Sequence, residues 1–337
     1  MPVIDDFGVE DEAIEDIPPG HVVAKVDTLS MDAWIRTTLN EEGMHRTGDI
    51  GSTIRALGVG QIIESNSDKL AVGDWVYGPM SAQTHALLAD SAATRIMPED
   101  GIPPGAFAGP LGITTGLTAW VGLVSVGEVQ KDDVVVVSGA AGAVGSVVVQ
   151  LAKQRGAFVI GIAGGPDKCT YLTDTLGADI AIDYKNSDVG EALAKAAPDG
   201  LDIFFDNVGG QILDHALGNL AQSGARVVIC GAISQYQNLG DVRGPKLYLR
   251  LAERNASMRG FVVSHYAAHY PQAIAEISNL LRSGKLVLPE HVVEGIARPI
   301  EPESASRYSE PYGISIIRRN GLALLVASRS KFGSLHQ

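Results

Sequence analysis

Cysteine is nearly absent: Cys169 and Cys230 are the only two. One sits on an expected helix and the other ends an expected strand, which excludes a disulfide framework and points to a reducing compartment. Two distant cysteines also exclude a structural zinc lobe. His45, His85, His265 and His269 have no thiol beside them, so no metal site is expected. Basic residues are outnumbered 26 to 39, and the net charge of −13 argues against nucleic acid or an anionic membrane surface as partner. No apolar run reaches the ~18 residues of a membrane span. The start of the chain lacks a basic, apolar leader and carries Asp5, Asp6, Glu10, Asp11 and Glu12 instead, so a cytoplasmic protein without a signal peptide is expected.

What is there is an ordinary buried composition, 45% hydrophobic and 19% charged, spread over 337 residues. A single core usually stops growing near ~250–300 residues, so two domains are expected. From 20 to about 110 the texture is short strands at 21–26, 54–59, 60–64 and 74–78, broken by Gly, Pro and Asp. From about 112 strands and helices alternate. Strands are predicted at 134–137, 158–163, 180–183, 201–205, 226–230 and 258–263, and helices at 143–155, 167–176, 188–197, 210–221 and 271–283. Nearly all-apolar strands separated by helices indicate a parallel sheet covered on both faces. The fold class is α/β, with a small β-rich domain (1–111 and 291–337) and a doubly wound Rossmann domain (112–290).

Within the second domain, Val134-Val-Val-Val-Ser138 runs into Gly139-Ala140-Ala141-Gly142-Ala143-Val144-Gly145 and then a helix. Only glycine and alanine let a backbone turn this tightly and bring N–H groups against a pyrophosphate, with the helix's positive end behind them. The string is the dinucleotide fingerprint with alanine in the first glycine place. Packing alone could also explain Gly142 and Gly145, but the surrounding strand–helix alternation favours binding. An NAD site usually ends the second strand on Asp or Glu, to hold the ribose 2′-hydroxyl. Here the tip is Ile160-Gly-Ile-Ala163-Gly164-Gly165, followed by Lys168, which suits a 2′-phosphate and NADP(H). Asp167 counts against that choice unless it serves as an early-helix acid.

Further strings carry a family resemblance: Leu29-Ser-Met-Asp32-Ala-Trp34-Ile-Arg36, Gly112-Ile-Thr-Thr-Gly116-Leu-Thr-Ala-Trp120, Phe205-Asp206-Asn207-Val208-Gly209-Gly210 and Ile229-Cys230-Gly231-Ala232-Ile233-Ser234-Gln235-Tyr236. Together they resemble the zinc-independent medium-chain dehydrogenase/reductases, in the prostaglandin reductase, alkenal double-bond reductase and curcumin reductase branch. The resemblance spans about residues 20–295 and implies a GroES-like first domain and NADPH dependence. Carried over by position, Gly142, Ala143, Val144 and Gly145 would contact the pyrophosphate, and Lys168 and Tyr184 the 2′-phosphate. Asn207, Cys230, Gly231, Ala232, Ile233, Ser234 and Tyr236 would line the ribose and nicotinamide, with Phe261, Val262 and Val263 beside the ring. Tyr184 could equally be a half-buried strand-end aromatic, Cys230 a small core residue, and Asp32 with Arg36 an ion pair fixing a turn.

Without a Lewis acid, reduction of an α,β-unsaturated carbonyl is favoured over that of an unactivated ketone. Hydride adds to the β-carbon, and the enolate charge needs only one or two hydrogen-bond donors in a dry cleft. Many relatives place a tyrosine eight residues before the phenylalanine of the Gly-Phe strand; that position here is Glu253, with Tyr248 nearby. Tyr236 is therefore the candidate donor, and Trp34 and Tyr77 are candidates for a substrate wall. A quinone reductase of the same superfamily, and a non-catalytic NADPH-binding protein, remain alternatives. Relatives are often dimers, so a homodimer stays open.

The chain also departs from the family. The first strand before Asp5-Asp6-Phe7 is missing or shortened. From about 298, Arg298-Pro-Ile-Glu-Pro-Glu-Ser-Ala-Ser-Arg-Tyr-Ser-Glu-Pro-Tyr-Gly313 replaces the usual helix, and Asn320-Gly321-Leu322-Ala323 keeps a turn without its lysine. The expectation is a divergent or frame-shifted tail; if it fails to dock, the first domain loses part of its sheet.

Overall fold

The β-branched alternation of His21-Val-Val-Ala-Lys-Val26 continues into one ten-residue strand that anchors the first sheet. The computed structural model describes residues 7–39, 48–98, 101–236, 239–295, 314–318 and 324–327. Described residues up to Gly109, with those from Glu290 onward, form one unit, and Pro110–Pro289 form a second.

In chain order the first unit supplies β1 (Phe7–Glu10), β2 (His21–Ser30), β3 (Gly58–Asn66), β4 (Trp75–Gly78), β5 (His85–Ala89) and β6 (Thr94–Ile96). The second supplies β7 (Val134–Ser138), β8 (Phe158–Ala163), β9 (Ile180–Asp183), β10 (Ile203–Asp206), β11 (Arg226–Ile229) and β12 (Ser257–Gly260). The chain then returns to the first with β13 (Glu290–Glu294), β14 (Ile314–Arg318) and β15 (Leu324–Ala327).

The first unit is a largely antiparallel sheet of order β13-β14-β2-β3-β4-β6, with β5 on β2, plus a β1–β15 pair. Its core gathers Val22, Ala24, Val26, Leu29, Ile62, Val76 and Met80. The two strands expected at 54–59 and 60–64 are instead one, starting at Gly58. Glycine reads as a breaker in the sequence, but here it is what lets the strand run. A Cβ on Gly58 would overlap the Thr28 carbonyl oxygen, and one on Gly60 would come within 2.8 Å of the Lys25 carbonyl oxygen. The β2–β3 ladder has register shifts at Val23/Ala24 and Val26/Thr28, where the backbones crowd. In the tail, β14 pairs with β13 and β2, and β15 with β1, so two of its apolar stretches do join sheets. Arg298–Gly313 and Asn320–Ala323 lie outside the described residues, as do Asp5, Asp6 and His45.

The second unit is a parallel sheet of order β12-β11-β10-β7-β8-β9. β7 and β10 are central and almost wholly buried, which is why they read as unbroken apolar runs. Helices Ala143–Gln154, Val189–Ala196, Gly210–Gly218 and Tyr270–Arg282 cover the sheet. The helix expected at 167–176 is regular only over Pro166–Thr170, then widens over Tyr171–Thr175. The strand expected at 258–263 stops at Gly260, because its partner β11 ends opposite at Ile229. A helical run over Ile113–Val126 was not anticipated from the sequence. Gly122 lets it sit against Phe205 and Phe261, where a Cβ would lie 2.6 and 2.8 Å from ring carbons.

Candidate coenzyme site

The strand order reverses between β7 and β10, and ligands of such sheets bind outside the carboxyl ends at that point. β7 ends at Ser138, and Gly139 turns the chain at φ 58°. The Ala140 N–H donates to the Ile162 carbonyl at 3.1 Å, tying the turn to β8, and the Gly142 N–H donates to the Gly139 carbonyl at 3.0 Å. A Cβ on Gly145 would overlap the Gly139 carbonyl oxygen, so the helix start packs directly on the turn. Gly142 caps the helix with no side chain, and the first intrahelical bond runs from Ser146 N–H to the Gly142 carbonyl. Among the described residues, the N–H groups of Ala143, Val144 and Gly145 find no acceptor, as a helix start aimed at an anion would leave them.

Where β8 ends, Gly164 and Gly165 turn into the short helix Pro166–Thr170, with Asp167 in its first turn. The nearest acid on the neighbouring strand is already engaged. Asp183 accepts from Gly165 N–H at 2.8 Å, Lys185 N–H at 3.0 Å and Asn186 Nδ2 at 2.7 Å. The Gly165 N–H, then Asn186, hold its carboxyl below the usual aspartate range. Tyr184 is 48% exposed and lays its ring against Gly164. Lys168 is half-buried and has no ion-pair partner among the described residues. At this corner Gly164 and Gly165 end the strand without an acid, Asp183 is engaged, and Asp167 is exposed beside Lys168.

Across the switch point, Asp206 ends β10 fully buried. Its Oδ1 accepts from Ser138 Oγ at 2.7 Å and Val208 N–H at 3.0 Å, and Gly209 N–H reaches both oxygens, at 2.9 and 3.1 Å. Asn207 is held to β7 twice, through its N–H to Ser138 Oγ and its Nδ2 to the Ser138 carbonyl, each at 2.8 Å. The loop after β11 hangs on the same residues. The N–H groups of Cys230 and Gly231 donate to the Asp206 carbonyl, Ile233 N–H to the Asn207 carbonyl, and Ser234 N–H and Oγ to the Val208 carbonyl. Burial, and then the Asp206 charge, push the Cys230 thiol up to about 12, so it behaves as a small half-buried side chain. The Tyr236 hydroxyl folds back over Gly231 and accepts the Ala232 N–H at 3.3 Å.

Beyond β12, Phe261 meets Tyr266 edge-on with ring centroids 6.3 Å apart. Gly260, Phe261, Val262, His265 and Tyr266 line an open hollow of about 600 Å³. Val263 begins a short helix, and its carbonyl accepts the Tyr270 hydroxyl at 3.0 Å.

Sequence reasoning did not single out Tyr266, Ser138 or Asp206 as site residues. One signal was present: an acid ending an all-apolar strand is costly to bury and calls for partners. Other candidates sit elsewhere. Glu253 pairs with Arg250 at 2.6 Å on an exposed helix that Tyr248 precedes. In the first unit, Asp32 accepts from Ser30 Oγ at 2.7 Å and Trp34 Nε1 at 3.0 Å, while Tyr77 is buried.

A glycine turn and open helix start at the switch point of a doubly wound sheet define a dinucleotide-binding domain. The matching families are an N-terminal domain of oxidoreductase over residues 1–96 and a zinc-binding dehydrogenase over 143–279. The chain is 39% identical, over 88% of its length and 87% of the relative's, to the Bacillus subtilis protein YfmJ, named by inference an NADP-dependent oxidoreductase. It is 35% identical to the NADP(+)-dependent 2-alkenal reductase of Nicotiana tabacum, over 83% of this chain and 82% of that one. The crystal structure of CurA from Vibrio vulnificus in complex with NADPH superposes with a TM-score of 0.85 at 31% identity, covering 95% of this chain and 96% of that one. The chain belongs to the medium-chain dehydrogenase/reductases, in the branch of the curcumin, alkenal and prostaglandin reductases. The zinc in one family description finds no donor set among the described residues. No three His, Cys, Asp or Glu side chains gather there.

Proposed function

We propose that this protein uses NADPH to reduce the carbon–carbon double bond of α,β-unsaturated aldehydes and ketones, without a metal. The observation that carries the coenzyme choice is the acid-free tip of β8, with Asp183 engaged and Lys168 in no ion pair among the described residues. The names of the alkenal, curcumin and prostaglandin reductases support the substrate class. The thiol-poor donor set supports chemistry without zinc.

When bound, NADPH supplies a hydride for the substrate's β-carbon. The N–H groups of Ala143, Val144 and Gly145 face the pyrophosphate, and the helix dipole behind them favours its charge. Lys168 and Tyr184 hold the 2′-phosphate. Asn207, with Cys230, Gly231, Ala232, Ile233 and Ser234, would line the ribose and nicotinamide, with Phe261, Val262 and Val263 beside the ring. Tyr236 donates its hydroxyl hydrogen bond to the enolate oxygen as charge builds there, while its oxygen accepts the Ala232 N–H. A homodimer in the cytoplasm completes the proposal; the open outer edge of β12, where Met258 is 37% exposed, supports a second copy there. Among the described residues no helix is long and apolar enough to cross a membrane.

The test is NADPH absorbance with 2-hexenal, a 15-oxo-prostaglandin-like enone and a small quinone, with NADH and EDTA as controls. Consumption with the enals, retained in EDTA and weak with NADH, supports the reading. Turnover of the quinone alone, or of none of the three, overturns it.

A further inference from the structure

Asp206 is a carboxylate with no exposed surface and no cationic partner within 4 Å among the described residues. Burial lifts its carboxyl above the usual aspartate range, against the donors from Gly209, Ser138 and Val208. An ionised group so placed costs folding free energy. The surrounding donors nevertheless favour the ionised form. Asn207 N–H donates to Ser138 Oγ, Ser138 Oγ donates to Asp206 Oδ1, and the remaining neighbours are backbone donors. A protonated Asp206 would bring a further proton to a ring of donors.

The same residue joins three segments around the switch point. Through Ser138 its side chain grips the end of β7, through Val208 and Gly209 it shapes the loop after β10, and its carbonyl holds Cys230 and Gly231 after β11. Gly209 and Gly210 take φ of 71° and 60°, a left-handed bend that the carboxylate clasps. We propose that Asp206, relayed through Ser138, is a positioning residue that sets the coenzyme-lining loops at Asn207–Gly210 and Cys230–Ser234 without touching the coenzyme. The proposal rests on the coenzyme crevice assigned above. A buried charge is retained here because only an acceptor on both oxygens keeps these donors in register.

The test is NADPH titration by fluorescence together with turnover of 2-hexenal, on wild type and on Asp206→Asn. The amide keeps the shape and removes the charge, but turns one acceptor into a donor facing Gly209. The expected result is a Kd for NADPH about tenfold or more higher, the scale of one lost charge-assisted hydrogen bond. The turnover number at saturating coenzyme should stay within about threefold, and Tm should not fall. An unchanged Kd overturns the proposal, as does a fallen Tm with Kd preserved, the mark of a purely structural role. If Asp206→Asn does not fold, Ser138→Ala decides: it cuts the relay and keeps the charge, and an unchanged Kd there overturns the proposal. Failure of wild type to bind NADPH would instead overturn the crevice.

Discussion

Gly145 rests on the carbonyl oxygen of Gly139 with no room for a Cβ between them. The helix that faces the proposed pyrophosphate therefore owes its position to a missing methyl group. Gly145→Ala should push the helix start off the turn, costing about 1–3 kcal/mol of stability as overpacking does. NADPH affinity should fall at least about tenfold. Thermal unfolding and a coenzyme titration check both effects.

Lys168, just past the tip of β8, forms no ion pair among the described residues. Lys168→Ala should raise KM for NADPH by about 10–100-fold, the range for a lost hydrogen bond to a charged group, and leave NADH nearly untouched. Steady-state kinetics with both coenzymes measure the ratio. Equal loss with NADH would place Lys168 away from the 2′-phosphate.

Glu276 joins two otherwise distant groups in the second unit. It accepts the indole N–H of the buried Trp120 at 2.7 Å and pairs with Arg155 at 2.7 Å. Glu276→Ala strands the indole donor and should destabilise the protein by about 1–3 kcal/mol in urea unfolding. Glu276→Gln keeps an acceptor and should lose less.

The Cys230 thiol is raised from 9.0 to about 12. Between those values the folded chain holds a proton that the unfolded chain has released. Stability should therefore fall as pH rises through that window, by at most about 1.4 kcal/mol per unit from this group. Below the unfolded value the contribution is constant. At pH 8 a thiol reagent should label Cys230 much more slowly in native protein than in denaturant, and equal rates would contradict the burial.

The inner strands of the doubly wound sheet were legible because central parallel strands are apolar on both faces. β8 and β9 fall on the predicted residues, and β7 exceeds its prediction by one. The glycine turn and the missing acid at Gly164–Gly165 were legible too, since both are local backbone requirements. The Ile113–Val126 helix was not, because it is buried nearly all round and shows no amphipathic period. β3 was misjudged at Gly58 and Gly60, where the reason for glycine lies in another strand.

Sequence alone determined the alternation, the turn at Gly139–Gly145 and the neutral end of β8, because each depends on residues a few positions apart. Tertiary structure alone decided that Ser138 donates to Asp206, 68 positions away, and that Asp183 accepts the Gly165 N–H across from the end of β8. Chain pattern encodes what the backbone does locally. Which donor meets which acceptor is settled only when the sheet brings distant strand ends together, since the cost of an unpaired buried group is incurred there.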